Sequence, residues 1–194
     1  MNPALANQIL DFWFLPATHA DHNRSRREWF RKDESFDALI RERFGDAVES
    51  ALASSTLEEI NADQMLAQIL LLDQFTRNIF RGAARAFAGD GLALQVATAM
   101  INAGLDQTLP PIRRSFAYLP FEHAEDLVMQ EKSIAMFAAL LASGGEDFAG
   151  QLDYARRHQA IVMRFGRFPH RNELLGRAST LDEIEFLTQP GSSF

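Results

Sequence analysis

The sequence predicts an all-α protein, built as an antiparallel helical array of about seven to nine helices. Three observations support this prediction. Apolar residues recur with the period of an α-helix along nearly the whole chain. No stretch alternates apolar and polar residues as a half-buried β-strand does. Glycine and proline punctuate the chain so that the connections are short, and short connections place successive helices antiparallel.

The predicted helices of the first half are bounded by proline and glycine. A first helix begins near Pro3, a residue that favours the first helical turn, and ends near Pro16. A second begins at Ser35 and carries aromatic and aliphatic residues at helical spacing. A third runs from Ala62 to Phe80 and is apolar around most of its girth, which is typical of a central, buried helix.

The second half continues the helical pattern. A helix from Gly91 to Asn102 is closed by Gly104 in the usual C-terminal glycine position. Two longer helices follow, one beginning near Pro120 and ending before Gly144, the other running from Glu146 to Phe165. A short terminal helix begins at the string Thr180-Leu-Asp-Glu183, which has the pattern of a capping box.

Length and composition indicate a soluble globular protein. The 194 residues suffice for one hydrophobic core and are few for two, so we expect a single all-helical domain over residues 1–194. Hydrophobic residues make up 47% and charged residues 23%, which argues against disorder. The N-terminus lacks the pattern of a signal peptide, and no apolar run is long enough to span a bilayer. We therefore expect a cytoplasmic protein with no membrane partner.

Charge and motif content exclude several classes of function. The formal net charge of −7 disfavours nucleic-acid binding, because a phosphate backbone would be repelled. There is no cysteine, which excludes disulfides, thiolate catalysis and cysteine-based metal sites. The sequence has no glycine-rich phosphate loop, dinucleotide fingerprint or serine nucleophile elbow, so we expect no cofactor. Whether the protein is an enzyme is left open.

Three separate segments share an unusual mixture of charged, amide and aromatic residues, which indicates a binding site or a locked polar core. The densest is Arg164–Asn172, a bend shaped by glycine and proline that carries three arginines, a histidine and an asparagine. The other two are Asp73–Asn78 and Phe121–Asp126. The predicted ligand-binding residues are Asp73, Arg77, Asn78, Arg81, Glu122, His123, Asp126, His158, Arg164, Arg167, His170, Arg171 and Asn172.

The first of these segments follows the apolar run Ile69–Leu72. Arg77 lies one helical turn after Asp73, its nearest predicted carboxylate, and Arg81 extends the same ridge by another turn. Because the helix is apolar all round, we expect part of the ridge to be buried and its charges paired. Asp73 and Arg77 either form a structural ion pair, or Asp73 orients Arg77 so that its guanidinium enters a cavity.

Two histidines are predicted to face inward. His123 lies one turn before Leu127 on the predicted core stripe of its helix, and His158 shares a stripe with Tyr154. Each is either a hydrogen-bonded core residue or part of a site. His123 and Asp126 form a candidate acid–base pair, in which the carboxylate sets the tautomer of the ring.

A metal site is disfavoured. His123, His158 and His170, with Glu122 or Asp126, would supply a set of two histidines and one carboxylate. However, no close pair of ligands has a familiar metalloenzyme spacing, and the surrounding arginines would repel a cation. We therefore predict no bound metal.

Several strings along the chain are specific enough to indicate a family. They are Leu71–Gly82, Ala86–Ala88, Phe116–Asp126, Arg164–Asn172, Leu175–Arg177, Ser179–Thr180 and Pro190–Phe194. These strings resemble the signature blocks of bacterial domain-of-unknown-function family 924, and the likeness covers essentially the whole chain. The chain departs from the family pattern at Thr76, commonly proline, and at Ala124, commonly serine. The resemblance implies a helical fold similar to tetratricopeptide-like arrays and implies no established activity.

These observations lead to one leading interpretation and two alternatives. The leading interpretation is a polar pocket, lined by arginine and histidine, that binds or acts on a small anionic metabolite bearing phosphate or carboxylate. The first alternative is a tetratricopeptide-like interaction module that binds a peptide partner, and the second is that the polar clusters are purely structural. A single site would require the three segments and the two inward histidines to converge in space.

Overall fold

The computed structural model describes residues 1–54, 61–144 and 148–193, and every regular element within these ranges is helical. The all-α prediction is therefore confirmed. The helices are α1 (Pro3–Phe14), α2 (Glu34–Ala53), α3 (Ala62–Ile69), α4 (Thr76–Ile79), α5 (Asp90–Asn102), α6 (Pro111–Glu122), α7 (Leu127–Gly144), α8 (Ala149–Phe165) and α9 (Leu181–Leu187). Within the same ranges, no helix combines the length and apolar character that crossing a membrane requires.

The chain divides into two compact units. The first comprises residues 1–81 and 85–120, and the second comprises residues 82–84 and 121–194. Each unit buries its own set of apolar side chains. The expectations of a single domain and of a tetratricopeptide-like arrangement stay predictions.

The core of the first unit is rich in aromatic rings. Trp13, at the end of α1, has its ring centroid 5.3 Å from that of Phe75 and 5.7 Å from that of Phe116. Trp29 stacks on Trp13 at 5.9 Å and donates its indole N–H to the carbonyl oxygen of Trp13. All four rings are buried, and large aromatic side chains contribute strongly to the stability of a core.

The predicted helix from Ala62 to Phe80 contains a π-helical segment, Leu70–Phe75, that joins α3 to α4. Because this stretch is buried and apolar on nearly all sides, the usual periodicity does not reveal the extra residue of a π turn. The backbone of Gly89 approaches this segment so closely that a Cβ atom would lie 2.2 Å from the carbonyl oxygen of Leu72. Only glycine fits at that position without a shift of the backbone.

The second unit contains the contacting helices α7 and α8, and the first of them begins later than predicted. Pro120 lies inside α6, and the helix breaks between Glu122 and Leu127. Asp126 caps α7, because its carboxylate accepts the N–H of Met129 at 3.0 Å. Leu127 is 45% exposed, so its predicted place on the core stripe is wrong. The buried face of α7 includes Gln130, Ser133, Phe137 and Leu140.

The C-terminal end of α8 and the start of α9 follow the predicted signals. Gly166 closes α8 in the left-handed conformation, with a φ of 70°. The predicted start at Glu146 lies outside the described residues, and α8 itself starts at Ala149. The capping box at α9 is confirmed, because Thr180 Oγ1 accepts the N–H of Glu183 and the Glu183 carboxylate accepts the N–H of Thr180.

Candidate ligand-binding site

In the first unit, Arg77 is held by a carboxylate other than the predicted one. Its Nη2 atom lies 3.9 Å from Asp73 Oδ1 but only 2.8 Å from Asp90 Oδ1, so the prediction that Asp73 is its nearest carboxylate is wrong. Arg77 also donates to the carbonyl oxygen of Ala86, and its guanidinium lies over the ring of Phe87. These contacts fix the side chain within the fold.

Asn78 and Arg81 bind a carboxylate from a distant part of the sequence. Arg81 donates from Nε and Nη2 to the two oxygens of Asp37, at 2.7 Å and 2.9 Å. Asn78 Nδ2 donates to the same carboxylate at 2.7 Å. The hydrogen bond to Asp37 raises the pKa of the Arg81 guanidinium. This arrangement ties α2 to the end of α4 and gives both predicted residues a structural role.

In the second unit, three of the predicted residues surround a buried aromatic ring, that of Phe168, and a fourth, His123, lies beside one of them. The ring centroids of His158 and His170 lie 5.4 Å and 5.7 Å from that of Phe168. The guanidinium carbon of Arg171 lies 4.6 Å from the same centroid, and the His123 ring lies 6.2 Å from that of His158. The structure thus brings together residues of two of the predicted segments, Phe121–Asp126 and Arg164–Asn172, with His158 of α8.

His158 has a defined proton position. Its Nδ1 atom lies 2.9 Å from the carbonyl oxygen of Tyr154 and 3.3 Å from Oε1 of Glu122. Both neighbours are acceptors, so Nδ1 carries the proton and Nε2 carries the lone pair. Burial, and after it the charge of nearby His123, lowers the pKa of His158 to about 3. Such a ring is a neutral, hydrogen-bonded core residue at physiological pH and a weak base.

Tyr154 does not face inward as predicted, and Asp126 has the role of a helix cap. Tyr154 is 51% exposed, so its expected place on the inward stripe of α8 is wrong. Asp126 is exposed as well and serves as the cap of α7. The carboxylate that contacts an inward histidine is Glu122, which is itself buried and which pairs with His158.

Glu125, which lies outside the predicted set, fastens the bend Arg164–Asn172 to the connection between α6 and α7. Its carboxylate contacts Arg177 at 2.6 Å and 2.9 Å and accepts the backbone N–H of Phe168 at 2.7 Å. Burial raises the pKa of Glu125, but the bonds from Arg177 and Phe168 outweigh burial and hold the pKa below its usual value. The carboxylate therefore stays ionised and orders the bend.

Arg167 and Asn172 also stabilise the conformation of the bend Arg164–Asn172. Arg167 contacts the two oxygens of Glu183 at 2.6 Å and 2.8 Å and donates to the carbonyl oxygen of Ala178 at 2.8 Å. The hydrogen bond from Arg167 lowers the pKa of the buried Glu183 carboxyl to about 2. Asn172 is buried and donates to Ser179 Oγ at 3.0 Å.

Arg164 is placed differently from the other arginines of the bend. Its side chain is exposed, and its guanidinium carbon lies 4.6 Å from the ring centroid of Phe165 and 5.8 Å from that of Phe186. Within the described residues it has neither a carboxylate partner nor a hydrogen bond. It borders a cleft of about 400 Å³ between the end of α8 and the start of α9. The lining residues are Arg164, Phe165, Arg167, Thr180, Asp182 and Glu183.

The residues that line this cleft differ from the predicted pocket residues in two ways. Two of the predicted arginines line it, but no histidine does. Thr180 and Asp182 line it although neither belongs to the predicted set. Their positions inside the capping box of α9 indicate a helix start and carry no signal for a binding site.

The first unit has a cleft of its own, of about 570 Å³, with a different character. Its lining residues are Glu28, Asp33, Ser35, Phe36, Ala38, Leu39 and Glu42. Three carboxylates and no cationic side chain line it, so it would repel an anion. None of the predicted ligand-binding residues contributes to it.

The described parts of the chain hold no group of three or more histidine, aspartate and glutamate side chains arranged to bind a metal ion. His123, His158, His170 and Glu122 thus lie near one another without metal-site geometry. Asp73, Arg77, Asn78 and Arg81 belong to the first unit, and the other predicted residues belong to the second. Convergence of the two sets stays a prediction.

Fold and site together define an all-helical protein of two compact units, the second of which carries a cleft lined by two arginines and two carboxylates. The model of the family described as "Bacterial protein of unknown function (DUF924)" matches residues 9–191, and the chain belongs to this family. The resemblance of the signature strings is thereby confirmed.

A solved structure is similar over nearly the whole length. It is that of the protein of unknown function ATU0120 from Agrobacterium tumefaciens, with 38% sequence identity and a TM-score of 0.75. The similarity covers 95% of this chain and 97% of that one. No curated protein matches the chain.

Proposed function

We propose that the second unit binds a small anion, a carboxylate or a phosphate, in the cleft between α8 and α9. The observation that carries this proposal is the state of Arg164, which lines the cleft and has no carboxylate partner in the described ranges. Arg167, the other arginine of the cleft, is already paired with Glu183. Arg164 therefore supplies the charge that a ligand would meet.

The surroundings of Arg164 support a binding role. The rings of Phe165 and Phe186 lie within cation–π distance of its guanidinium, which restricts the side chain to few rotamers. A restrained guanidinium loses less entropy when its planar fork engages a carboxylate or phosphate. Thr180 adds a donor, because its oxygen already accepts from Glu183 while its hydroxyl proton can be donated to a ligand.

The proposal concerns binding alone. No imidazole lines the cleft, and the buried His158 is a weak base. The cleft volume of about 400 Å³ lies at the lower end of the range for small-molecule sites, which suits a small metabolite.

Thermal unfolding in phosphate and in acetate tests the proposal. Above the dissociation constant, each effective ligand should raise the melting temperature in proportion to the logarithm of its concentration. Arg164→Gln should abolish this rise, and Arg164→Lys should weaken it because an ammonium lacks the planar fork. Arg156→Gln is the matched control, since Arg156 is also exposed on α8 and lies outside the cleft. Equal responses of Arg164→Gln and the parent would refute the proposal.

A peptide-interaction function is the second candidate, and one observation favours it. Leu181, Ile184 and Leu187 are 84%, 52% and 36% exposed, and their spacing places them along one side of α9. If neither phosphate nor acetate changes the melting temperature of the parent protein, this function becomes the better proposal.

A further inference from the structure

The charges that line the cleft are balanced, and the balance restricts the chemistry of the ligand. Arg167 and Glu183 neutralise each other at 2.6 Å. The remaining charged side chains are Arg164 and Asp182, and neither forms an ion pair with any residue in the described ranges. The cleft therefore offers a ligand one cation and one anion.

We infer that the ligand is a small zwitterion of the α-amino acid class, with its carboxylate on Arg164 and its ammonium on Asp182. This inference rests on the proposed function, because the carboxylate is the anion that Arg164 binds. A simple anion still binds Arg164 but is partly repelled by the Asp182 carboxylate, so it binds more weakly than a ligand that also carries an ammonium. A zwitterion satisfies both charges at once, and the repulsion of simple anions gives selectivity.

The remaining lining agrees with a ligand of this size and polarity. The ring of Phe165 forms part of the cleft wall and offers an apolar surface to a side chain. A cleft of about 400 Å³ accommodates a single amino acid. The class therefore extends to amino acids with apolar or aromatic side chains.

Three probes with the same side chain measure the contributions of the ligand's carboxylate and of its ammonium separately. L-phenylalanine carries both, N-acetyl-L-phenylalanine carries only the carboxylate, and L-phenylalanine amide carries only the ammonium. Titration calorimetry on the full chain should give the tightest binding for L-phenylalanine. An exposed ion pair corresponds to a preference for L-phenylalanine over the N-acetyl compound of up to about fivefold. The amide should bind weakest, since it lacks the group that Arg164 holds.

Three variants assign these effects to residues. Asp182→Asn should remove the preference for L-phenylalanine and leave the N-acetyl compound bound as well as before, or better. Arg164→Gln should remove the binding of both. Glu185→Gln is the control for Asp182→Asn, because Glu185 is an exposed acid of α9 that does not line the cleft. Circular dichroism verifies that each variant is folded.

The outcomes distinguish the inference from the proposed function. If Asp182→Asn keeps the preference, or if the N-acetyl compound binds the parent as tightly as L-phenylalanine, the zwitterion is refuted while the anion site stands. If Arg164→Gln binds both compounds as the parent does, both ideas fail. If none of the three probes binds the parent protein, the zwitterion is refuted, and the responses to phosphate and acetate decide the anion site.

Discussion

Arg167 holds Glu183 through two parallel contacts, of 2.6 Å and 2.8 Å, that join the bend after α8 to the first turn of α9. The same carboxylate accepts the backbone N–H of Thr180 at 2.7 Å. One buried side chain therefore completes both an ion pair and a helix cap. Since Arg167, Thr180 and Glu183 all line the cleft, the shape of the cleft depends on this carboxylate.

The first prediction concerns Glu183 and pH. Arg167 lowers the pKa of Glu183 to about 2 in the folded protein, against an ordinary value of 4.5. A carboxyl with a lowered folded pKa stabilises the protein fully above its unfolded pKa, and this contribution is lost as pH falls towards the folded pKa. The melting temperature should therefore fall between about pH 5 and pH 2, and fall less steeply in Glu183→Gln. Parallel pH profiles from circular dichroism would contradict this role.

The second prediction concerns the partners of Asp37. Asp37→Ala leaves the buried amide of Asn78 without its acceptor and Arg81 without its carboxylate. We expect a loss of about 1–3 kcal/mol in the free energy of unfolding, mainly from Asn78, because Arg81 is partly exposed and screened by water. Denaturant unfolding measures the loss. Glu49→Ala breaks the exposed pair with Arg85 and should cost under about 1 kcal/mol. Equal losses would contradict the prediction.

The third prediction compares two glycines near the start of α5. Gly89→Ala would place a Cβ 2.2 Å from the carbonyl oxygen of Leu72, so the backbone must shift at a cost of roughly 1–3 kcal/mol. Gly91→Ala has no atom within 4 Å of the new Cβ and should stabilise the helix by about 0.5–1 kcal/mol. Urea unfolding of both variants tests the contrast. A tolerated Gly89→Ala would mean that the π segment and Gly89 are less closely packed.

The fourth prediction concerns the protonation of His158. Its lowered pKa keeps the ring neutral in the folded state, while the unfolded state takes up a proton below the ordinary value of 6.5. The stabilising contribution is therefore full above that value and is lost as pH falls towards 3. Nitrogen NMR should show the proton on Nδ1 and no titration between about pH 7 and pH 5. A midpoint near the ordinary value would place the ring in solvent instead.

The elements set by local chemistry could be predicted from the sequence. Pro3 starts α1, Gly104 and Gly166 adopt the left-handed conformation, and the Thr180-Leu-Asp-Glu183 string forms a capping box. Each depends on a residue and its neighbours within one turn, so the sequence contains all the necessary information.

The partners of the polar residues could not be predicted in the same way. Asp37 lies more than 40 residues before Asn78 and Arg81, and its position on α2 carries no local sign of this pairing. The sequence predicts that a helix begins near Pro120, but Pro120 lies inside α6, and the break that follows places His123 in a connection. The cleft between α8 and α9 depends on how two helix ends pack, which periodicity does not encode.

The π-helical segment Leu70–Phe75 also determines how a deletion of one residue would affect this part of the chain. In an α-helix each residue turns the chain by about 100°, so one extra residue would rotate Asn78 away from Asp37. A π turn takes up one residue within a single wider turn and keeps the faces on either side of it aligned. A chain shortened by one residue here can therefore close into a continuous α-helix that still directs Asn78 at Asp37. The same deletion inside α2 would turn that helix out of register.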